Sequence, residues 1–225
     1  ARCVAKSSKV QIVTLTHDSM KEVQNYYHVP DNRIDIVSCG WEHMNTTTED
    51  DSILNRLELN DGCEFFFSLG SKYKHKNFRW ILESARYNPK YKFVITGTGA
   101  FSNNENELKM VVPKNVIFTG YITNEEIKSL MIHCKALIQP SLYEGFGLPP
   151  LEALSVGASI VVSNKSCLPE IYKGVAHYID PYNYNVDLDK LMDESVDNPK
   201  IVLDEYTWER AAAQLLNVLY KEGNR

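Results

Sequence analysis

Short apolar runs alternate with amphipathic stretches along most of the chain. The runs at Val10–Leu15, Ile34–Val37, Phe65–Leu69, Tyr91–Thr96, Asn115–Thr119, Ala136–Ile138, Ala158–Val162 and Ala176–Ile179 read as strands. Between them, apolar positions spaced three and four apart predict helices. One runs from Ser19 to about Tyr27, capped by Thr16 or Asp18. Others cover Phe78–Arg86 and Asn103–Met110, and one runs from a Thr123–Glu126 capping box to about Cys134. The last, Trp208–Tyr220, carries apolar residues at 208, 211, 212, 215, 216, 219 and 220 and so presents one apolar face. Strand and helix in alternation predict an α/β fold, a doubly wound, Rossmann-like parallel sheet with ligand groups at the strand C-termini.

The most informative stretch follows the run at 136–138: Pro140-Ser141-Leu142-Tyr143-Glu144-Gly145-Phe146-Gly147-Leu148-Pro149-Pro150-Leu151-Glu152. Two glycines make a turn, and Pro149–Pro150 can open a helix because a missing N–H costs nothing in the first turn. Strand, glycine turn and helix start together form an anion seat, where unpaired N–H groups and the helix dipole favour negative charge. Glu144 stands at the mouth of the turn and Glu152 about one turn inside the helix. Carboxylates so placed accept from paired sugar hydroxyls. The ligand this describes has phosphate in the middle and hydroxyl-rich groups on both sides, as a nucleotide-sugar does.

EGFGLPPLE (Glu144–Glu152), with Pro140–Ser141 before it and Gly157-x-x-Ile160-Val161-Val162-Ser163 after it, resembles the signature of family 4 retaining glycosyltransferases of the GT-B fold. The resemblance implies that residues 1–45 are the last β-α-β unit of an N-terminal GT-B domain with its crossing (Cys39-Gly40-Trp41-Glu42). It makes 46–62 a linker, 63–205 the C-terminal nucleotide-sugar-binding domain and 206–225 the closing helix. It implies hexose transfer from a nucleoside-diphosphate sugar to a hydroxyl of a glycan or lipid-linked glycan, with retention and without metal or other cofactor. Lys76 and the Gly145–Leu148 amides would take the charge of the leaving diphosphate. Glu144 would hold the sugar hydroxyls and Glu152 the ribose, making Glu144 and Lys76 the catalytic pair. Gly70, Asn77, Gly97, Gly99, Tyr121, Ile122, Ser141, Phe146 and Leu148 complete the implied donor site. Where the family often has arginine after the strand-ending glycine, Ser71 stands here; Lys72, Lys74 and His75 are the candidates for that charge. Glu170, in a Leu-Pro-Glu-Ile turn, reads either as a sugar ligand or as a helix N-terminal carboxylate. The other implied partner is the rest of the N-terminal domain, through which the protein would touch the membrane. The location implied is cytoplasmic or membrane-associated, in polysaccharide assembly. Because acceptor contacts would come from that other half, these residues alone are expected to bind donor and transfer little sugar. The rival readings are a nucleotide-sugar-binding module that pairs with a separate acceptor-binding subunit, and a GT-B relative of other chemistry. For the latter, a phosphorylase would need a pyridoxal lysine context that is not found.

Composition narrows this little further. The 225 residues are 44% hydrophobic and 24% charged, as in a globular domain. A net charge of −5 argues against a nucleic-acid surface. Five cysteines at wide, irregular spacings read as reduced thiols. Asp187-Leu188-Asp189 spells a motif that binds metal in another glycosyltransferase fold, but here it opens an amphipathic stretch and reads as a helix start.

Overall fold

The computed structural model describes residues 10–60, 62–70, 73–97 and 111–223. Cys3, Ser71, Lys72, Gly99 and the helix expected over 103–110 lie outside them. In order, the elements are β1 (Ile12–Thr14), α1 (His17–Tyr27), β2 (Ile34–Ile36), α2 (Ser52–Arg56), β3 (Phe65–Leu69), α3 (Phe78–Tyr87), β4 (Lys92–Thr96) and β5 (Val116–Gly120). There follow α4 (Asn124–His133), β6 (Ala136–Gln139), α5 (Leu148–Ser155), β7 (Ser159–Ser163), α6 (Leu168–Tyr172), β8 (His177–Ile179), α7 (Leu188–Asp193), α8 (Lys200–Glu205) and α9 (Trp208–Gly223).

Six strands form one sheet in the order β5-β4-β3-β6-β7-β8, every pairing parallel. Both faces are buried, which is why the strands read as continuous apolar runs. Phe65, Phe67, Leu137, Ile160 and Val162 join one core, while Phe66, Ala136, Ile138 and Val161 join the other. The chain starts at the centre with β3, builds outward through β4 and β5, then returns to β6 beside β3. That reversal places a crevice at the carboxyl ends of β3 and β6. β1 and β2 form a separate two-stranded parallel pair joined through α1.

Two stretches differ from expectation. Residues 46–62, read from their polar start as a linker, contain α2, and Ile53, Leu54 and Leu59 are buried in the larger core. The apolar residues after Asp51 outweigh the polar ones before it, and Arg56 pairs with Glu126 at 2.7 Å, fastening α2 to α4. The predicted apolar face of α9 is largely uncovered by the described residues: Ala211 is buried, but Leu215, Leu216, Leu219 and Tyr220 are 44–69% exposed. α9 instead ties back through polar contacts. The Ser38 N–H donates to Gln214 Oε1 (2.8 Å), and Lys221 pairs with Asp35 (3.3 Å).

The capping box forms as read: Glu126 N–H donates to Thr123 Oγ1 (3.2 Å) and Thr123 N–H to Glu126 Oε2 (2.9 Å). Asp187 caps α7, accepting from the N–H groups of Asp189 and Lys190, while Asp189 pairs with Lys90 at 2.6 Å. Cys39, Cys63, Cys134 and Cys167 are free thiols. Burial pushes the thiols of Cys134 and Cys167 up to about 12. Only the thiolate is nucleophilic. Iodoacetamide at pH 8 is therefore expected to modify these two only after denaturation; modification in the folded protein, read by peptide mass, would contradict their burial.

Candidate functional site

The loops after β3 and β6 meet over the crevice. Leu142 N–H donates to the His75 carbonyl at 2.7 Å. Asn77 adopts a left-handed backbone (φ 54), a conformation asparagine tolerates. From there its Nδ2 donates to the carbonyls of Pro140 (3.0 Å) and Pro181 (2.9 Å). One amide thus ties together the loops following β3, β6 and β8.

At the centre lies Glu144, only 8% exposed. Lys76 Nζ reaches both of its carboxylate oxygens, at 2.8 and 3.0 Å. Gln139 Nε2 donates to Oε1 at 2.8 Å and Ser141 Oγ to the same oxygen at 2.6 Å. A buried carboxylate is tolerated only when paired and hydrogen-bonded, and here both conditions are met. Its backbone is held as firmly: its N–H donates to Ser166 Oγ (3.2 Å), and its carbonyl accepts from Ser166 Oγ (3.0 Å) and Cys167 Sγ (3.2 Å). Gln139 is 3% exposed, and its Oε1 has no partner among the described residues.

The chain then turns through Gly145–Leu148. No described group accepts from the N–H of Gly145, Phe146, Gly147 or Leu148. Four consecutive donors at the start of α5 are thus left without an acceptor among the described residues, the arrangement that suits an anion. Gly147 holds φ 84, and a Cβ there would lie 2.6 Å from Leu168 Cδ2, so the position needs glycine. The Phe146 side chain is not in the seat. It is buried and packs edge-on against Tyr206, ring centroids 5.3 Å apart. Phe146 anchors the loop to the core. Leu148 packs against the same core.

Glu152, inside α5, accepts from His43 Nε2 at 2.9 Å. His43 Nδ1 in turn accepts from Trp208 Nε1 (3.2 Å). Beside them the Glu42 carboxylate accepts the Trp208 backbone N–H (3.0 and 2.9 Å), placing negative charge at the α9 N-terminus. Gly40 lets these elements approach: a Cβ there would be 2.1 Å from Trp208 N.

The β1–α1 corner closes over the other side of the loop. Thr16 and Ser19 hydroxyls both donate to the Gly145 carbonyl at 3.1 Å. Glu170 proves to be a helix N-terminal carboxylate, but of α1: it accepts from the N–H groups of His17 (2.8 Å) and Asp18 (3.0 Å). Gly70 and Gly97 touch at the ends of β3 and β4, where a Cβ on Gly97 would sit 1.5 Å from the Gly70 oxygen. Tyr121 is 81% exposed, while the Ile122 side chain is buried in the larger core. Lys74 is exposed, and the His75 ring stacks on Tyr73 at 5.7 Å. Sequence reading did not single out Gln139, Ser166, His43 or Ser19. For Gln139 a signal existed, a polar residue ending a buried strand. His43 and Ser166 meet the site only through contacts distant in sequence.

Residues 49–221 match the family described as Glycosyl transferases group 1. The chain is 24% identical over 229 residues to O-antigen chain mannosyltransferase B of Escherichia coli, an alignment that takes in 92% of this chain and 59% of that protein. The chain therefore spans little more than half the length of such curated relatives. Among solved structures, sucrose-phosphate synthase of Thermosynechococcus elongatus superposes with a TM-score of 0.78 at 15% identity, over 98% of this chain and 60% of that one. Alr3699/HepE of Anabaena, solved in complex with UDP and glucose, superposes with a TM-score of 0.73 at 16% identity, over 94% and 63%. These similarities give the six-stranded parallel sheet its place among GT-B structures, and with the family match over most of its length the chain belongs to the glycosyl transferases group 1 family.

Proposed function

We propose that this chain supplies the donor-binding half of a retaining hexosyltransferase acting on a nucleoside-diphosphate sugar. The observation that carries the reading is the pairing of a buried, triply held carboxylate, Glu144, with four free backbone N–H groups at the start of α5. The N–H groups and Lys76 would receive the diphosphate, and Glu144 the sugar hydroxyls. Glu152 Oε2, which has no partner among the described residues, would receive the ribose. In transfer, the bond between the anomeric carbon and the diphosphate oxygen breaks and its electron pair leaves with the diphosphate. The acceptor oxygen bonds to that carbon, and its proton passes to the departing diphosphate. Donors fixed in advance where that charge grows stabilise the transition state without reorganising. On this reading charge neutralisation falls to Lys76 and the amides, with no metal assigned.

The acceptor is proposed to be a glycan or lipid-linked glycan, in keeping with the O-antigen relatives. It would be held largely by a further half docked on the uncovered α9 face, which is also where membrane contact would arise. No helix of the described residues is long and apolar enough to cross a membrane. The same face would serve a separate acceptor-binding subunit if the chain is a binding module. Equilibrium dialysis with labelled UDP-glucose and GDP-mannose tests the proposal. One donor is expected to bind and to be displaced by its own nucleoside diphosphate. Transfer to glycan acceptors by these 225 residues alone is expected to be far below the ~10 s⁻¹ typical of enzymes. Full turnover by the chain alone would contradict the half-site reading.

A further inference from the structure

We propose that His43 is a positioning residue for Glu152, acting as a fixed hydrogen-bond donor whose tautomer Trp208 sets; the inference rests on the nucleotide-sugar reading of the site. The geometry leaves one arrangement of protons. An indole N–H only donates, so His43 Nδ1, 3.2 Å from Trp208 Nε1, must be the acceptor. A neutral imidazole with Nδ1 as acceptor carries its proton on Nε2, and Nε2 lies 2.9 Å from Glu152 Oε1. The relay runs from Trp208 N–H through the ring to the carboxylate. It fixes one carboxylate oxygen and leaves Oε2 for the ligand.

The relay also joins parts of the chain that are far apart. Glu152 is on the site helix α5, His43 in the 3₁₀ turn Glu42–Asn45 after the crossing, and Trp208 at the first position of α9. The rings of His43 and Trp208 lie tilted at 55° to each other, with centroids 6.1 Å apart. Glu42 holds the Trp208 backbone through two further hydrogen bonds, and Gly40 permits the approach. The docking of the terminal helix thereby sets the orientation of the ribose carboxylate.

Two substitutions separate donation from packing. In His43→Gln the amide nitrogen lies near the place of Nε2 and keeps the donor to Glu152. In His43→Asn the amide lies near Nδ1, keeps a partner for Trp208 and loses the donor to Glu152. The test is calorimetric titration of wild type and both variants with GDP, UDP and ADP, and with the 2′,3′-dideoxy form of each. The wild type is expected to bind one nucleotide. His43→Asn is expected to weaken it roughly tenfold, about one charge-assisted hydrogen bond, with His43→Gln near wild type. Against the dideoxy form the His43→Asn penalty is expected to vanish, which a general loss of structure would not produce. In nitrogen-edited NMR, His43 is expected to show the Nε2–H tautomer, with the Nδ1–H form appearing in Trp208→Phe. Equal affinity of His43→Asn and wild type, or an equal loss against the dideoxy nucleotide, would overturn the role of His43 and leave the site reading standing. Failure of the folded wild type to bind any nucleotide would overturn both.

Discussion

Lys76→Ala is expected to lower transfer by the complete enzyme by about 10²–10³-fold, the cost typical of losing one preorganised donor to a developing anion. Lys76 has two jobs in this geometry. Its ammonium reaches both oxygens of Glu144, yet carries a further N–H that this pairing does not use. On the proposed reading, that donor and the amides of Gly145–Leu148 would receive the diphosphate. The substitution should also cost about 2 kcal/mol of stability. The carboxylate loses its counter-charge but keeps Gln139 and Ser141, so the cost falls below that of a fully stranded buried charge. A double variant isolates the stability role. Lys76→Met with Glu144→Gln removes the stranded charge and should recover most of the stability in urea denaturation, while transfer stays low. A double variant no more stable than Lys76→Met alone would show that Lys76 does not serve to neutralise Glu144.

The largest loss of stability is expected from Gly97→Ala. Its Cβ would fall 1.5 Å from the Gly70 oxygen and 2.6 Å from the Gly70 carbon, at a backbone φ of +148 that side-chain-bearing residues rarely adopt. Both partners are backbone, so no side chain can rotate away. Relief requires the ends of β3 and β4 to separate, and Gly70 N–H is itself bonded to the Thr96 carbonyl at 3.0 Å. A loss above about 4 kcal/mol, or failure to fold, is expected. Gly157→Ala is the control. It also has positive φ (+88), but nothing lies within 4 Å of its Cβ. It should lose only the ~1–2 kcal/mol of the left-handed conformation. Similar denaturation midpoints for the two variants would mean that β3 and β4 do not meet so closely.

What sequence made legible follows from how local each signal is. The strands were readable because a parallel sheet buried on both faces leaves consecutive apolar residues, as in Phe65-Phe66-Phe67. The α5 start was readable because glycine and proline act within a few residues. Asn77 shows where such reading stops. Its amide ties Pro140 and Pro181, which stand 63 and 104 residues away and could not be named from its own neighbourhood. Phe146 sits inside the motif, yet its ring belongs to the core because Tyr206, sixty residues on, offers it an edge contact. Glu170 had two possible uses, and the helix end it serves, 153 residues earlier, could not be named from its own neighbourhood. The α9 stripe was readable as a face to be covered, and the described residues leave most of it open.

The central claim is that the crevice between β3 and β6 receives a nucleoside diphosphate. Isothermal titration of the folded chain with UDP, GDP, dTDP and ADP tests it most directly, repeated on Lys76→Ala and Glu152→Ala. Saturable binding of one nucleotide is expected, weakened at least about tenfold by either substitution. Folded protein that binds none of the four, or that binds one with the same affinity in both variants, would contradict it.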